Sequence, residues 1–344
     1  MVKKYGLLFI YYFPLMLSFC QTSTSIDNDL FTKKERKQDL KAFIKKNQLC
    51  LESNNNGIAV SAKDLPCDCH VQGLGWVEKS NQIVLTCQDK CTEKEGAYLL
   101  LYDGNNLLPI DIQKGKSDAF FNHPSAIQIV DDTFPVAFAA ERKEDSFIEF
   151  YQIKENQLKL ASTKTIQLKG RHIGALAYAT IGEETYLLGV GWDAEDLTIW
   201  KAKRKNATTG FSQHFYTTDS KTLLKKRARK KWGPYNSLWL GTLSDGAVIL
   251  MGTHGKSRER FSSLDIWRVI DIAGTTPSLK WISSKMIKGK AANGINFFHE
   301  GVTIKTKGSN LDSVSLIAAP HDLTAVNCPS GYRCANKIYE FKAY

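Results

Sequence analysis

His172-Ile-Gly-Ala-Leu176, Tyr186-Leu-Leu-Gly-Val190 and Leu197-Thr-Ile-Trp200 follow one another closely, each strand-sized and separated from the next by Gly, Glu and Asp residues. Apolar, β-branched and aromatic residues fill the runs, and each is too short for a stable helix, so the triplet reads as a β-meander. It is one copy of several. The first run recurs as His70-Val-Gln-Gly-Leu74, His123-Pro-Ser-Ala-Ile127, Tyr235-Asn-Ser-Leu238 and Asn293-Gly-Ile295. The second recurs as Ile83-Val-Leu-Thr-Cys87, Pro135-Val-Ala-Phe-Ala139, Val248-Ile-Leu-Met-Gly252 and Val314-Ser-Leu-Ile-Ala318. The third, strongly alternating, recurs as Tyr98-Leu-Leu-Leu-Tyr102, Phe147-Ile-Glu-Phe-Tyr151, Leu264-Asp-Ile-Trp267 and Lys337-Ile-Tyr-Glu-Phe341.

Successive units start 53, 49, 63 and 58 residues apart. Repeats of this length, each a small sheet that cannot bury its own faces, are blades of a propeller. No amphipathic helices alternate with the strands, which argues against a βαβ sheet. The expected fold is therefore all-β, a five-bladed β-propeller over 67–344. Six blades, with residues 30–66 contributing strands, and a β-sandwich are the alternatives. The aromatic third runs are similar to WD-type repeats, but the Gly-His and Trp-Asp signature is absent from its required positions.

His123-Pro-Ser-Ala-Ile127 with Val136-Ala-Phe138, Gly191-Trp-Asp193 ahead of an aromatic strand, and Met251-Gly-Thr-His254 resemble a loosely characterised group of exported, lipoprotein-like bacterial β-propeller-repeat proteins. The resemblance covers roughly 70–344. It implies a propeller and brings no catalytic residues with it.

The N-terminus reads as an export signal over residues 1–20. Lys3 and Lys4 precede an apolar stretch, Gly6 to Phe19, whose 14 residues are too few to span a bilayer. Leu17-Ser-Phe-Cys20 resembles a lipoprotein signal that would lipidate Cys20, although Phe19 stands where a small residue is wanted. An ordinary cut ahead of Gln21 is the alternative. Residues 21–66 form a polar linker with a basic amphipathic segment, Lys33 to Lys46, holding seven Lys or Arg. That segment suits either an anionic membrane surface or packing on the body. The expected location is outside the cytoplasm, secreted or on the cell envelope, with membrane attachment only through a lipid anchor or this segment.

Eight cysteines in an exported chain read first as disulfides. Cys328 and Cys334 bracket a turn-rich loop and are expected to pair. The partners of Cys50, Cys67, Cys69, Cys87 and Cys91 are open. A metal site from Cys67-Asp-Cys-His70 with Cys87 and Cys91 is the alternative, on a spacing that fits no standard zinc pattern.

A propeller turns repetition into a ring. If the first run lines the axis, His70, His123, His172, Tyr235 (or Asn236) and Asn293 surround one mouth of the channel. The second run returns to the same face, which brings Asp89, Glu141, Asp193, His254 and His321-Asp322 there. Five of the seven histidines fall on these two sets of positions. Such a ring suits a ligand pocket, a divalent cation held by His70, His123 and His172, or a carboxylate and imidazole centre for hydrolysis. It equally suits staples, each imidazole bonding the neighbouring blade. No cofactor is implied beyond that cation, because nucleophile-elbow, Walker, dinucleotide and His-Glu-x-x-His motifs are all missing.

The net charge of +11 points to a polyanionic partner, such as an acidic glycan or a lipid headgroup; chromosomal nucleic acid is excluded by export. The densest basic run includes Lys225, Lys226, Arg227, Arg229, Lys230 and Lys231, in the connection between the third and fourth units. It is either a solvated loop or a contact for phosphate or acidic sugar. The functional expectation is a binding module that holds an anionic ligand on one propeller face. A hydrolase of glycans or phosphate esters and a structural envelope protein are the alternatives.

Overall fold

The computed structural model describes residues 48–51 and 58–59, then the strands between 68 and 343 named below. It also describes the intervening residues 80–81, 125, 127–129, 155, 161, 165, 169–174, 182–183, 191, 194, 204, 211, 232–236, 243, 246–247, 271–275, 277, 301 and 319. The export signal with Cys20, the basic segment at 33–46, Asp193, Lys225 to Lys231, Asn293, His321 and Cys328 lie outside the described residues.

Two short strands, β1 (Gln48–Leu51) and β2 (Ile58–Ala59), precede the repeats. Blade I is β3 (Asp68–Val77), β4 (Gln82–Asp89), β5 (Gly96–Tyr102) and β6 (Leu107–Asp111). Blade II is β7 (His123–Pro124), β8 (Val136–Arg142) and β9 (Asp145–Lys154), with an outer strand in two pieces, β10 (Gln157–Leu160) and β11 (Ile166–Leu168). Blade III is β12 (Ala175–Ile181), β13 (Glu184–Val190), β14 (Asp196–Lys203) and β15 (His214–Asp219). Blade IV is β16 (Ser237–Thr242), β17 (Val248–Gly255), β18 (Ser262–Ile270) and β19 (Ser278–Lys288). Blade V is built on β20 (Val302–Lys307) and β21 (Asn310–Ala318); β22 (Asp322–Thr324) and β23 (Cys334–Ala335) leave it for blade I, and β24 (Lys337–Ala343) returns. The fold is a five-bladed β-propeller.

Each blade is sandwiched between two others, so both faces of its inner and middle strands are buried. Blade III shows how the sequence meets that demand. Ala175, Ala177 and Ala179 of β12, with Tyr186, Leu188 and Val190 of β13, pack against Tyr235, Leu238, Leu240 and Trp267 of blade IV. The alternate residues Leu176, Tyr178 and Leu187, with Trp200, pack against Ile148 and Phe150 of blade II. The period of two is intact, but apolar residues occupy both phases, which is why the runs read as continuous. The three alanines lie on the inner strand, where blades are closest and large side chains would not fit.

The ring closes at two places. β1 and β2 pair antiparallel with β24 and supply the outer edge of blade V, while β1 also runs parallel to β19 of blade IV. These strands come from the stretch 21–66, otherwise read as linker. At the mouth, β22 crosses from blade V and pairs with the start of β3, with Asp322 opposite His70 and Leu323 opposite Cys69. The innermost strand of blade V is β20, beginning at Val302, nine residues beyond the Asn293 position expected to start it.

Gln128 ties three blades together. Its Oε1 accepts from the backbone N–H groups of Tyr178 (2.9 Å) and Leu240 (2.8 Å), and its Nε2 donates to the Leu240 carbonyl (2.8 Å). One buried amide of blade II thus joins the inner strands of blades III and IV.

Candidate functional site at the propeller mouth

Strand register brings the first-strand and second-strand positions to one end of each blade. His70 stands opposite Gln88 in blade I, with Asp89 opposite Cys69. His123 stands opposite Glu141 in blade II. His172 precedes Gly174, whose N–H donates to the Val190 carbonyl at the end of β13 (2.8 Å). The Asn236 N–H donates to the Thr253 carbonyl (3.1 Å), which sets Tyr235 and His254 together in blade IV.

The imidazoles do not gather at one point. His70 is buried beneath β22, and His123 Nδ1 lies 3.2 Å from Gln88 Oε1, an interaction that joins blade II to blade I. Among the described residues no three His, Cys, Asp or Glu groups stand close enough together to hold a metal ion. His70, His123 and His172 are therefore not brought together as a three-histidine cation site among the described residues. The cysteine metal site is corrected too, because Cys69 and Cys87 form a disulfide between β3 and β4 and their sulfurs are used. Cys334 stands in β23, in register with Asp322.

Blade IV carries the most developed polar network. Asp265, in the middle of β18, is almost wholly buried, and its Oδ2 accepts from the Tyr235 hydroxyl (2.8 Å). Trp267 Nε1 donates to that same hydroxyl oxygen (2.8 Å). His254 Nε2 lies 3.3 Å from Asp265 Oδ2; the side chain of His254 is 26% exposed and that of Asp265 only 3%. Burial and the neighbouring carboxylate push the Tyr235 phenol well above its ordinary pKa, so it stays protonated and remains a donor. Trp232 meets Tyr235 edge to face at 4.7 Å and Trp267 at 5.3 Å, and its Nε1 donates to the Ala194 carbonyl of blade III (2.8 Å).

Two glycines permit this packing. A Cβ on Gly233 would meet the Cγ–Cδ2–Nε2 side of His254, and one on Gly252 would meet the ring of Tyr235. Asp265 and Trp232 escaped the sequence reading. The signal for Asp265 was present, a lone acid between Leu264 and Ile266 in an otherwise apolar strand, where burial demands partners.

No protein-family model matches the chain, and comparison with curated proteins finds no relative. Among solved structures, the chain is similar to the catalytic domain of a GH62 α-L-arabinofuranosidase from Coprinopsis cinerea. The TM-score is 0.51 at 7% identity, over 86% of this chain and 96% of that one. A Podospora anserina α-L-arabinofuranosidase in complex with cellotriose matches at TM-score 0.46 and 7% identity, over 86% and 95% of the two chains. A GH62 hydrolase in complex with xylotriose matches at 0.48 and 6%, over 86% and 96%. At these identities the likeness is one of fold.

Proposed function

We propose that the protein is an exported hydrolase of glycans whose active site is the propeller mouth, the enzymatic alternative of the sequence reading. The observation that carries this is the strand register, which puts carboxylate-bearing positions of blades I and II at the end of the ring where the first-strand histidines stand. Asp322 stands in β22, on the axial side of β3, and Glu141 and Asp89 stand at the second-strand ends beside His123 and Cys69. Glycoside hydrolysis needs one carboxylic acid to protonate the leaving oxygen and one carboxylate to act as base or nucleophile, about 5–9.5 Å apart. Blades meeting on an axis can supply such a pair without a contiguous motif. The similar fold of the catalytic domain of an α-L-arabinofuranosidase supports a glycan over a phosphate ester. The Cys69–Cys87 disulfide supports an oxidising compartment and hence export.

Asp322 is assigned to the catalytic pair because its strand extends blade I inward from β3; its partner is Glu141 or Asp193. The test is release of reducing sugar from oligosaccharides and nitrophenyl glycosides by the wild type and by Asp89→Asn, Glu141→Gln, Asp193→Asn and Asp322→Asn. Asp322→Asn and one other are expected to lose at least a thousandfold in kcat. Undiminished turnover in all four variants would overturn the reading. A second reading, a binding module for acidic glycans, is favoured by the net charge of +11. It predicts salt-sensitive retention of such glycans without turnover.

A further inference from the structure

Trp232 and His254 stand at the mouth end of blade IV, and neither has a part in the hydrolysis just described. His254 is held from one side only. Gly233 covers its Cγ–Cδ2–Nε2 side, Asp265 Oδ2 lies 3.3 Å from Nε2, and Tyr235 meets the ring edge to face at 5.7 Å. A carboxylate beside Nε2 favours the proton on that nitrogen and leaves the Nδ1 lone pair as acceptor. Nδ1 has no hydrogen-bond partner among the described residues, and with the opposite edge covered, the exposed part of the ring lies toward Nδ1 and Cε1. Asp265 is itself fixed by Tyr235, and Tyr235 by Trp267, so the imidazole is oriented before any ligand arrives.

Trp232 is half-buried and directly precedes Gly233, which packs on His254. Its indole N–H is used by Ala194 of blade III, and its ring is wedged against Tyr235 and Trp267. The ring is therefore fixed in angle, at small entropic cost to a ligand that would lie against it. A flat aromatic surface beside an outward hydrogen-bond acceptor matches one class of ligand well: a neutral sugar ring, with an apolar C–H face and hydroxyls at its rim. We propose that Trp232 and His254 form a sugar-binding subsite on blade IV, with Trp232 under the ring face and His254 Nδ1 accepting from a ring hydroxyl. Asp265 is its positioning residue. The subsite deepens the glycan reading above and rests on it, but it tests separately because it uses none of the four carboxylates.

The test is calorimetric titration of the full chain with cellotriose, xylotriose and β-1,3-galactotriose. ¹⁵N spectra of the histidine side chains are recorded alongside. At least one trisaccharide is expected to bind and to shift the His254 Nδ1 resonance. Trp232→Ala should weaken that binding tenfold or more and abolish the shift, whereas Trp232→Phe, which keeps a flat ring, should stay within about threefold of wild type. Equal loss in both variants would overturn the subsite, since it would mark Trp232 as structural support. Unchanged affinity in Trp232→Ala, or a resonance that ignores sugar, would overturn it as well. Either result leaves carboxylate-dependent hydrolysis standing. Conversely, trisaccharide binding that depends on Trp232 without turnover would sink the hydrolase reading and keep the subsite. Failure of all three sugars to bind would overturn the subsite outright.

Discussion

The seam between blades III and IV and the seam between blades V and I join neighbouring blades by different means. The first is apolar and deep: alternate residues of β12, β13 and β14 meet Leu238, Leu240, Leu250 and Trp267, and Gln128 adds hydrogen bonds to both inner strands. Its two blades follow each other in the chain, so packing has only to orient what the backbone already tethers. The V–I seam joins the last blade to the first and has no such tether. It adds main-chain pairing of β22 with β3, and Lys305 of β20 stands 4.3 Å from the ring centre of Trp76 in β3. Closing a ring costs the entropy of bringing distant chain segments together, and directional bonds offset it. A seam within the chain can rely on side chains; a closing seam uses the backbone.

The difference should appear most strongly at high pH. Tyr151 lies in the I–II seam and Tyr235 in the III–IV seam, and burial with a neighbouring carboxylate, Glu149 or Asp265, raises both phenols above their ordinary value of 10.0. A raised folded pKa means that above pH 10 the unfolded chain has released these protons while the folded chain keeps them. Stability is therefore intact below pH 10 and falls as pH rises beyond it, by about 1.4 kcal/mol per pH unit for each phenol. Urea unfolding between pH 9 and 11 should show this slope, and Tyr151→Phe and Tyr235→Phe should each flatten it. A slope unchanged by both substitutions would place the alkaline weakness elsewhere, and the tethered seams would lose this distinction.

The closing seam should fail by another route. β22 has strands on both sides, β3 and β23, so a proline at Leu323 must remove a ladder hydrogen bond or displace a neighbour. Leu323→Pro should cost about 1–3 kcal/mol, the range for leaving a buried backbone group unsatisfied. The informative measurement is amide exchange: the start of β3 should exchange faster while β12 and β16 stay protected. Uniform acceleration across the five blades would show one cooperative unit and erase the contrast between seams.

Sequence reading reached the tethered blades and faltered at the closure, for a physical reason. His70, His123, His172 and Tyr235 fall within three residues of the start of the inner strands of blades I to IV, and these strands were found because inner and middle strands are buried on both faces and so leave long apolar runs. Outer strands leave a fainter trace: β10 and β11 each bury at most one face, and Gln157-Leu-Lys-Leu160 alternates over only four residues. In blade V the first described strand, Val302-Thr-Ile-Lys-Thr-Lys307, lacks the opening phrase, and Asn293-Gly-Ile295 lies outside the described residues. Gln128 and β22 act through partners more than fifty residues away in at least one case each, a relation no local pattern carries. At the candidate site, the histidine positions were legible from the repeat, but the contact of His123 with Gln88 of the neighbouring blade was not.

The smallest effect is expected at the other end of the closing seam. Lys305 Nζ lies over the Trp76 ring, and Trp76 is nearly buried between β3 and β20. An ammonium over an indole face is worth about 0.5–1 kcal/mol when exposed and about 2 when desolvated. Lys305 is partly exposed, so the lower range applies. Lys305→Met keeps most of the aliphatic stem and removes the charge, and should cost about 0.5–1 kcal/mol; Lys305→Arg should cost less, because a guanidinium also stacks on an indole. Both are read as shifts in the urea midpoint at unchanged slope. Combining Lys305→Met with Leu323→Pro then asks whether the seam acts as a unit. Additive costs would mean that the two ends of the seam open independently, as sites without shared partners do. A combined cost well below the sum would mean that pairing lost at the mouth has already separated blades V and I down to Trp76, making the main-chain pairing of β22 the contact on which the rest of the closure depends.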